Sequence, residues 1–255
     1  MFKFKLMNCI AIALLFVGAL AGCSSSGVTI KKPGAPIEWF VCIDTTPTVS
    51  PEEFKEYPQI AAESVLSRLR PRDRVYQLLI NSDAETKVGT FDIAGGKTGV
   101  ADDALKIYQS FKTVQRDQGR NITTNLASVL SYVKKVVNTA RRERQQRQQQ
   151  GQPAPPEVQY VAVLLTDGLP DGPQTIEAGD WPDDMPVWIF GVNRENEKKL
   201  MRLCLDQIRI PEANLHVHRF SAWTSAVKEF SPMGRTKNGA LLERLMTGKQ
   251  SAHGL

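Results

Sequence analysis

The chain contains four stretches read here as continuously apolar rather than alternating: residues 39–43, 75–80, 161–165 and 187–190. Such runs suit central parallel strands buried on both faces. Residues 215–220 form a weaker fifth, and 87–93 a short edge strand returning from the second. Helical patterns separate them. Ser50-Pro51-Glu52-Glu53 combines a capping residue, proline at the first helical position and glutamate three residues after the cap. Pro58 then predicts a kink or a restart before 60–69. Residues 101–115 read as a helix. Leu126, Val129, Leu130, Val133, Val137 and Ala140 form one apolar stripe at helical spacing. Helices over 195–208 and 222–230 complete the series.

This alternation predicts one α/β domain over 37–230: three layers, doubly wound about a mostly parallel sheet with one antiparallel edge strand, Rossmann-like in outline. No internal repeat is visible. The helical stripe stops at Ala140, and residues 141–156 are an Arg/Gln-rich insertion closed by Pro153-Ala154-Pro155-Pro156. Two readings stand, a solvated helix extension with a loop, or a partner-binding arm. Polar tracts of this kind rarely bury a face, which favours the first. Residues 231–255 are a tail with an amphipathic stretch at 241–246.

Composition narrows the class. At 42% hydrophobic and 23% charged residues the chain is neither collagen-like, coiled-coil nor wholly disordered. Four cysteines in 255 residues exclude a disulfide-built scaffold. A formal charge of +5, scattered along the chain, gives no reason to expect a nucleic-acid partner.

The first 22 residues read as an address. Lys3 and Lys5 precede an uncharged apolar run at 10–17, too short to cross a bilayer, and then Leu20-Ala21-Gly22-Cys23. Those four residues resemble the lipobox of bacterial lipoproteins. The resemblance implies a signal peptide over 1–22, cleavage before Cys23, acyl chains on Cys23, and a short lipidated tether over 23–36. The alternatives are an uncleaved anchor or an ordinary signal peptide. Several acyl chains on one residue anchor stably. Ser24, by the same resemblance, is compatible with transfer to the outer membrane, placing the domain in the bacterial envelope facing the periplasm.

In open α/β sheets ligands sit at the carboxyl ends of the strands. Three polar clusters fall at such positions or at a helix start: Asp44-Thr45-Thr46-Pro47-Thr48, Asn121-Ile122-Thr123-Thr124-Asn125-Leu126, and Thr166-Asp167-Gly168-Leu169-Pro170-Asp171. Two carboxylates with several hydroxyls, and no His or Cys nearby in sequence, suit a small hard cation such as Mg2+ or Mn2+.

These residues resemble a von Willebrand factor A domain with its metal-ion-dependent adhesion site, MIDAS. That family's Asp-x-Ser-x-Ser is matched by Asp44, Thr46 and Thr48, with Thr in both Ser positions and Pro47 between them. Its Thr at a helix start is matched by Thr124, and its Asp in Thr-Asp-Gly by Asp167. The resemblance implies that Asp44, Thr46, Thr48, Thr124 and Asp167 hold the metal. It also implies a protein partner that completes the shell with an Asp or Glu, binding rather than catalysis, and a last helix able to move. Either the site is loaded, or the domain is a metal-independent structural or docking component of an envelope or secretion assembly.

Other chemistries fit less well. A haloacid-dehalogenase phosphatase wants a second Asp two residues after Asp44, where Thr46 stands. Gly95-Gly96-Lys97-Thr98 lacks the earlier glycine of a phosphate loop, Phe91 occupying its place. His216 and His218 share a strand face but have no third ligand in view. Asn121-Ile122-Thr123 matches a glycosylation acceptor by chance. Cys42 and Cys204 are read as buried thiols, with a disulfide open to an exported protein. No nucleophile elbow is present.

Overall fold

The computed structural model describes residues 34–81, 87–94, 99–118, 122–171, 174, 176 and 179–229. Residues 1–33, with the expected signal segment, Cys23 and most of the expected tether, and residues 95–98, Asn121 and 230–255 lie outside them.

Six strands form one sheet: β1 Ile37–Asp44, β2 Arg74–Ile80, β3 Lys87–Asp92, β4 Gln159–Leu165, β5 Val187–Val192 and β6 Leu215–Arg219. Their order is β3-β2-β1-β4-β5-β6. All neighbours pair in parallel except β3, which returns antiparallel along β2. The helices are α1 Pro51–Ser64, α2 Gly99–Thr113, α3 Leu126–Gln149, α4 Glu197–Arg202 and α5 Trp223–Glu229. The period-2 alternation of the strands divides the core in two. Trp39, Val41, Ile43, Val161, Val163, Leu165, Trp188 and Phe190 face α1, α2 and α5. Phe40, Cys42, Ala162, Leu164, Val187 and Ile189 face α3 and α4. The three-layer, doubly wound architecture is therefore the one the alternation predicts.

Several local expectations are corrected. Pro58 does not restart its helix: α1 runs through it as one element. Tyr57, Ile60, Ala61 and Ala62 are buried on both sides of the proline, and this packing outweighs the hydrogen bond the ring removes. The capping box at Ser50 and Glu53 forms as expected. β2 is not buried on both faces; Arg74, Tyr76 and Leu79 are half-buried, because the strand lies one place from the sheet edge. The helix expected over 195–208 is an α-helix only to Arg202 and continues as a π-helical turn, Leu203–Gln207. Phe220 leaves the strand for a 3-10 turn. The Arg/Gln tract continues α3 to Gln149 with mostly exposed side chains. Cys42 and Cys204 are free and buried, and burial pushes both thiols up. Among the described residues, no helix is long and apolar enough to cross a membrane.

His216 and His218 lie on the edge strand against Trp188, His216 stacking on its ring at 4.1 Å. Burial, aided by the neighbouring His218, lowers the His216 pKa to about 4. The unfolded chain therefore takes up a proton near pH 6.5 that the fold refuses until about 4, so this group's contribution is complete above pH 6.5 and lost on acidification toward 4. A His216→Phe variant, which keeps a ring on Trp188, should resist unfolding better than wild type at pH 5 and match it at pH 7.5, as read by urea midpoints. Equal differences at both pH values would refute the assignment.

Candidate metal centre

The order β3-β2-β1-β4-β5-β6 reverses direction between β1 and β4, so the loops leaving those two strands diverge and open a crevice at their carboxyl ends. Asp44 ends β1 and Thr166-Asp167 follow β4. Thr124 precedes Asn125, whose side chain caps α3 by accepting from the Ser128 amide at 3.0 Å. All five residues singled out from the sequence thus meet in one place, although up to 123 positions separate them.

The Asp44 carboxylate organises the cluster. Its Oδ1 accepts from the Thr46 amide at 3.0 Å and from the Thr46 hydroxyl at 2.6 Å, while Oδ2 accepts from the Thr166 hydroxyl at 2.6 Å. Because Thr46 Oγ1 spends its proton on Asp44, its lone pairs are left for the other hydroxyls. The Oγ1 atoms of Thr46, Thr48 and Thr124 form a triangle with sides of 2.9, 2.9 and 3.5 Å. Adjacent oxygens of an octahedral Mg2+, bound at about 2.0–2.1 Å, stand about 3 Å apart. The triangle therefore has the dimensions of one face of such a shell. Pro47 and the two threonine methyls leave these oxygens converged.

Asp44 is wholly buried, and desolvation pushes its carboxyl up to about 7 despite three hydrogen bonds favouring the charged form. Burial also raises Asp167, against the Leu169 amide and the Thr48 hydroxyl, which hold it down. The charges acting on the pair are themselves acidic, Asp167 on Asp44, and Glu53 and Asp171 on Asp167. An electronegative oxygen cluster of this kind fits a divalent cation. Among the described residues no three His, Cys, Asp or Glu side chains cluster in the manner of a metal site; the donors here are hydroxyls beside two carboxylates.

The outer supports were not legible in the sequence. Arg116, after α2, donates to the Val49 and Pro47 carbonyls at 2.7 and 2.6 Å, and Asp117 accepts from the Thr45 hydroxyl at 2.6 Å. Asp171 accepts from the Thr124 amide, and Gln174 bridges the Thr124 and Asp171 carbonyls and the Ala127 amide. The Asp167 carbonyl accepts from the Asn193 amide at 2.9 Å and from Asn196 Nδ2 at 3.1 Å. Capping-type residues after a helix or strand were the available signal, but nothing local says which distant loop each one holds.

No protein-family profile matches the chain, and no curated protein matches it. Among solved structures, manganese-loaded TRAP protein of Plasmodium vivax is similar at 16% identity, covering 78% of this chain and 73% of that one, with a TM-score of 0.45. A von Willebrand factor type A structure from Catenulispora acidiphila is 13% identical, over 78% of this chain and 43% of its own, with a TM-score of 0.45. The pilus adhesin SpaC of Lactobacillus rhamnosus GG is 12% identical, over 78% and 30%, with a TM-score of 0.41. The chain thus spans less than half of the last two. What decides the fold is the sheet itself: parallel strands in this order, an antiparallel β3 at the edge, and three loop segments converging where the order reverses. The fold is von Willebrand A-like. The three polar segments that carry the sequence resemblance fall on the β1 exit, the α3 start and the β4 exit.

Proposed function

We propose that this chain is a lipid-anchored bacterial envelope protein whose A-type domain captures a protein partner through a Mg2+ or Mn2+ ion. The cation is held by Asp44, Thr46, Thr48, Thr124 and Asp167, and the partner's Asp or Glu completes its shell. The observation that carries this reading is the hydroxyl triangle with sides of 2.9, 2.9 and 3.5 Å beside two buried, mutually repelling carboxylates. A bound cation would supply positive charge and an open coordination position to an incoming carboxylate. The chain's own part is to orient the oxygens: Asp44 turns the Thr46 and Thr166 hydroxyls, and Arg116, Asp171 and Asn196 hold the three loops. The site's chemistry is binding rather than catalysis.

Anchorage through Cys23 agrees with this arrangement. Pro36 enters β1 at the amino-terminal end of the strands, opposite the crevice, where its carbonyl accepts from the Gln159 amide and the Ala35 carbonyl accepts from Arg70. Eight residues of β1, roughly 26 Å of strand, separate tether from site, so an outer-membrane-anchored domain offers the site outward into the periplasm.

The test is the thermal midpoint of the purified chain with Mg2+, with Mn2+ and with EDTA, alongside Asp167→Ala. A cation at about 100 times its dissociation constant should add about 2.7 kcal/mol to wild type and nothing to the variant. Wild type indifferent to both metals would leave the metal-independent docking component as the reading.

A further inference from the structure

Tyr57 lies in α1, two turns after the cap, and is 0% exposed. Its ring packs against Phe54, centroid to centroid 5.8 Å. Its hydroxyl, also buried, has no hydrogen-bond partner among the described residues. Buried hydroxyls are nearly always satisfied, and one left idle calls for a partner that arrives with something else. Packing alone would be served by phenylalanine.

The hydroxyl's surroundings identify that partner. A methyl built on Gly191 would stand 3.3 Å from Tyr57 Oη and 2.8 Å from the Thr166 carbonyl oxygen. Tyr57 therefore reaches the point where β4 ends, beside the residue whose hydroxyl donates to Asp44 Oδ2 at 2.6 Å. The charged groups that bear on it are Asp44, Asp167 and Glu53, all on the crevice loops or the first turn of α1. A hard cation keeps several waters, and each such water, polarised by the metal, is a strong donor in need of acceptors. A phenolic oxygen accepts as readily as it donates.

We propose that Tyr57 is a positioning residue of the cation site, its hydroxyl accepting a hydrogen bond from a water in the cation's shell. This rests on the metal reading above. The hydroxyl is idle without metal and employed with it, so Tyr57 favours the loaded state without touching the ion. Partners of this second kind typically change metal affinity tenfold or more when removed.

The experiment compares the purified wild-type chain with Tyr57→Phe, both stripped with EDTA, by metal-free thermal midpoint and by Mn2+ titration followed through the EPR signal of free Mn2+. The expected result is a metal-free midpoint equal to or above wild type, with the Mn2+ dissociation constant raised about tenfold. A constant within threefold of wild type overturns the role. So does a lowered metal-free midpoint, which would make the hydroxyl a structural group already satisfied in the empty fold. If wild type itself takes up no Mn2+, it is the metal reading that fails, and the role of Tyr57 falls with it.

Discussion

Stripped of metal, the wild-type chain should lose about 4 kcal/mol of stability relative to Asp44→Asn between pH 4 and pH 8. The carboxyl stands at an ordinary 3.8 in the unfolded chain and at about 7 in the fold, and each pKa unit is worth about 1.4 kcal/mol. The sign follows from proton binding. Between those values the folded state holds a proton that the unfolded chain has released, so Asp44's contribution is complete below pH 3.8 and lost as pH rises through 7. Desolvation is the cause, and Asp44 has no exposed surface to relieve it. Mn2+ should reverse the trend, because it replaces the missing proton as the neutralising charge and competes with it below pH 7. The measurement is a set of urea midpoints from pH 4 to 8 with EDTA and again with Mn2+. His216 works in the opposite direction over part of this range but is common to both proteins, so it cancels in the difference. A difference that stays flat with pH would remove Asp44 as a buried, uncompensated charge.

Replacing Gly191 by alanine should cost about 3 kcal/mol or more, a fall of roughly 6–12 °C in midpoint for a domain of this size. Two effects add. Gly191 has φ +102°, a conformation that side chains rarely adopt, and the new methyl would stand 2.8 Å from the Thr166 carbonyl and 3.3 Å from Tyr57. Neither obstacle is the flexible end of a side chain: one is backbone, the other a buried ring. Relief would push β4 and β5 apart at the crevice, so metal affinity should fall with stability. Gly151→Ala is the control, since φ is +66° there and nothing lies within 4 Å of the new methyl. Its cost should be about 1 kcal/mol. Equal losses at both positions would show that the packing at Thr166 is looser than described.

Much of this architecture was legible in one dimension. β1, β4 and β5 announce themselves because a strand covered on both faces has no polar positions to spare, and α3 because its stripe repeats at 3.6 residues. The Ser50 capping box is local chemistry and was equally readable. Pro58 misled for the opposite reason: its effect depends on whether neighbouring turns are packed against a sheet, which no nearby residue records. The π-helical turn at 203–207 and the half-exposed face of β2 belong to the same class.

The candidate site divides along the same line. The sequence by itself offered three oxygen-rich segments suited to a hard cation, because oxygen chemistry is a property of residue type, and the resemblance singled out Asp44, Thr46, Thr48, Thr124 and Asp167 among them. Only the tertiary structure decided that three hydroxyls 2.9 to 3.5 Å apart face one another, that Asp44 is buried enough to resist ionisation, and that Tyr57 carries an idle hydroxyl near the end of β4. Distances, desolvation and missing partners depend on elements that are remote along the chain and become neighbours only when the sheet order brings the ends of β1 and β4 together.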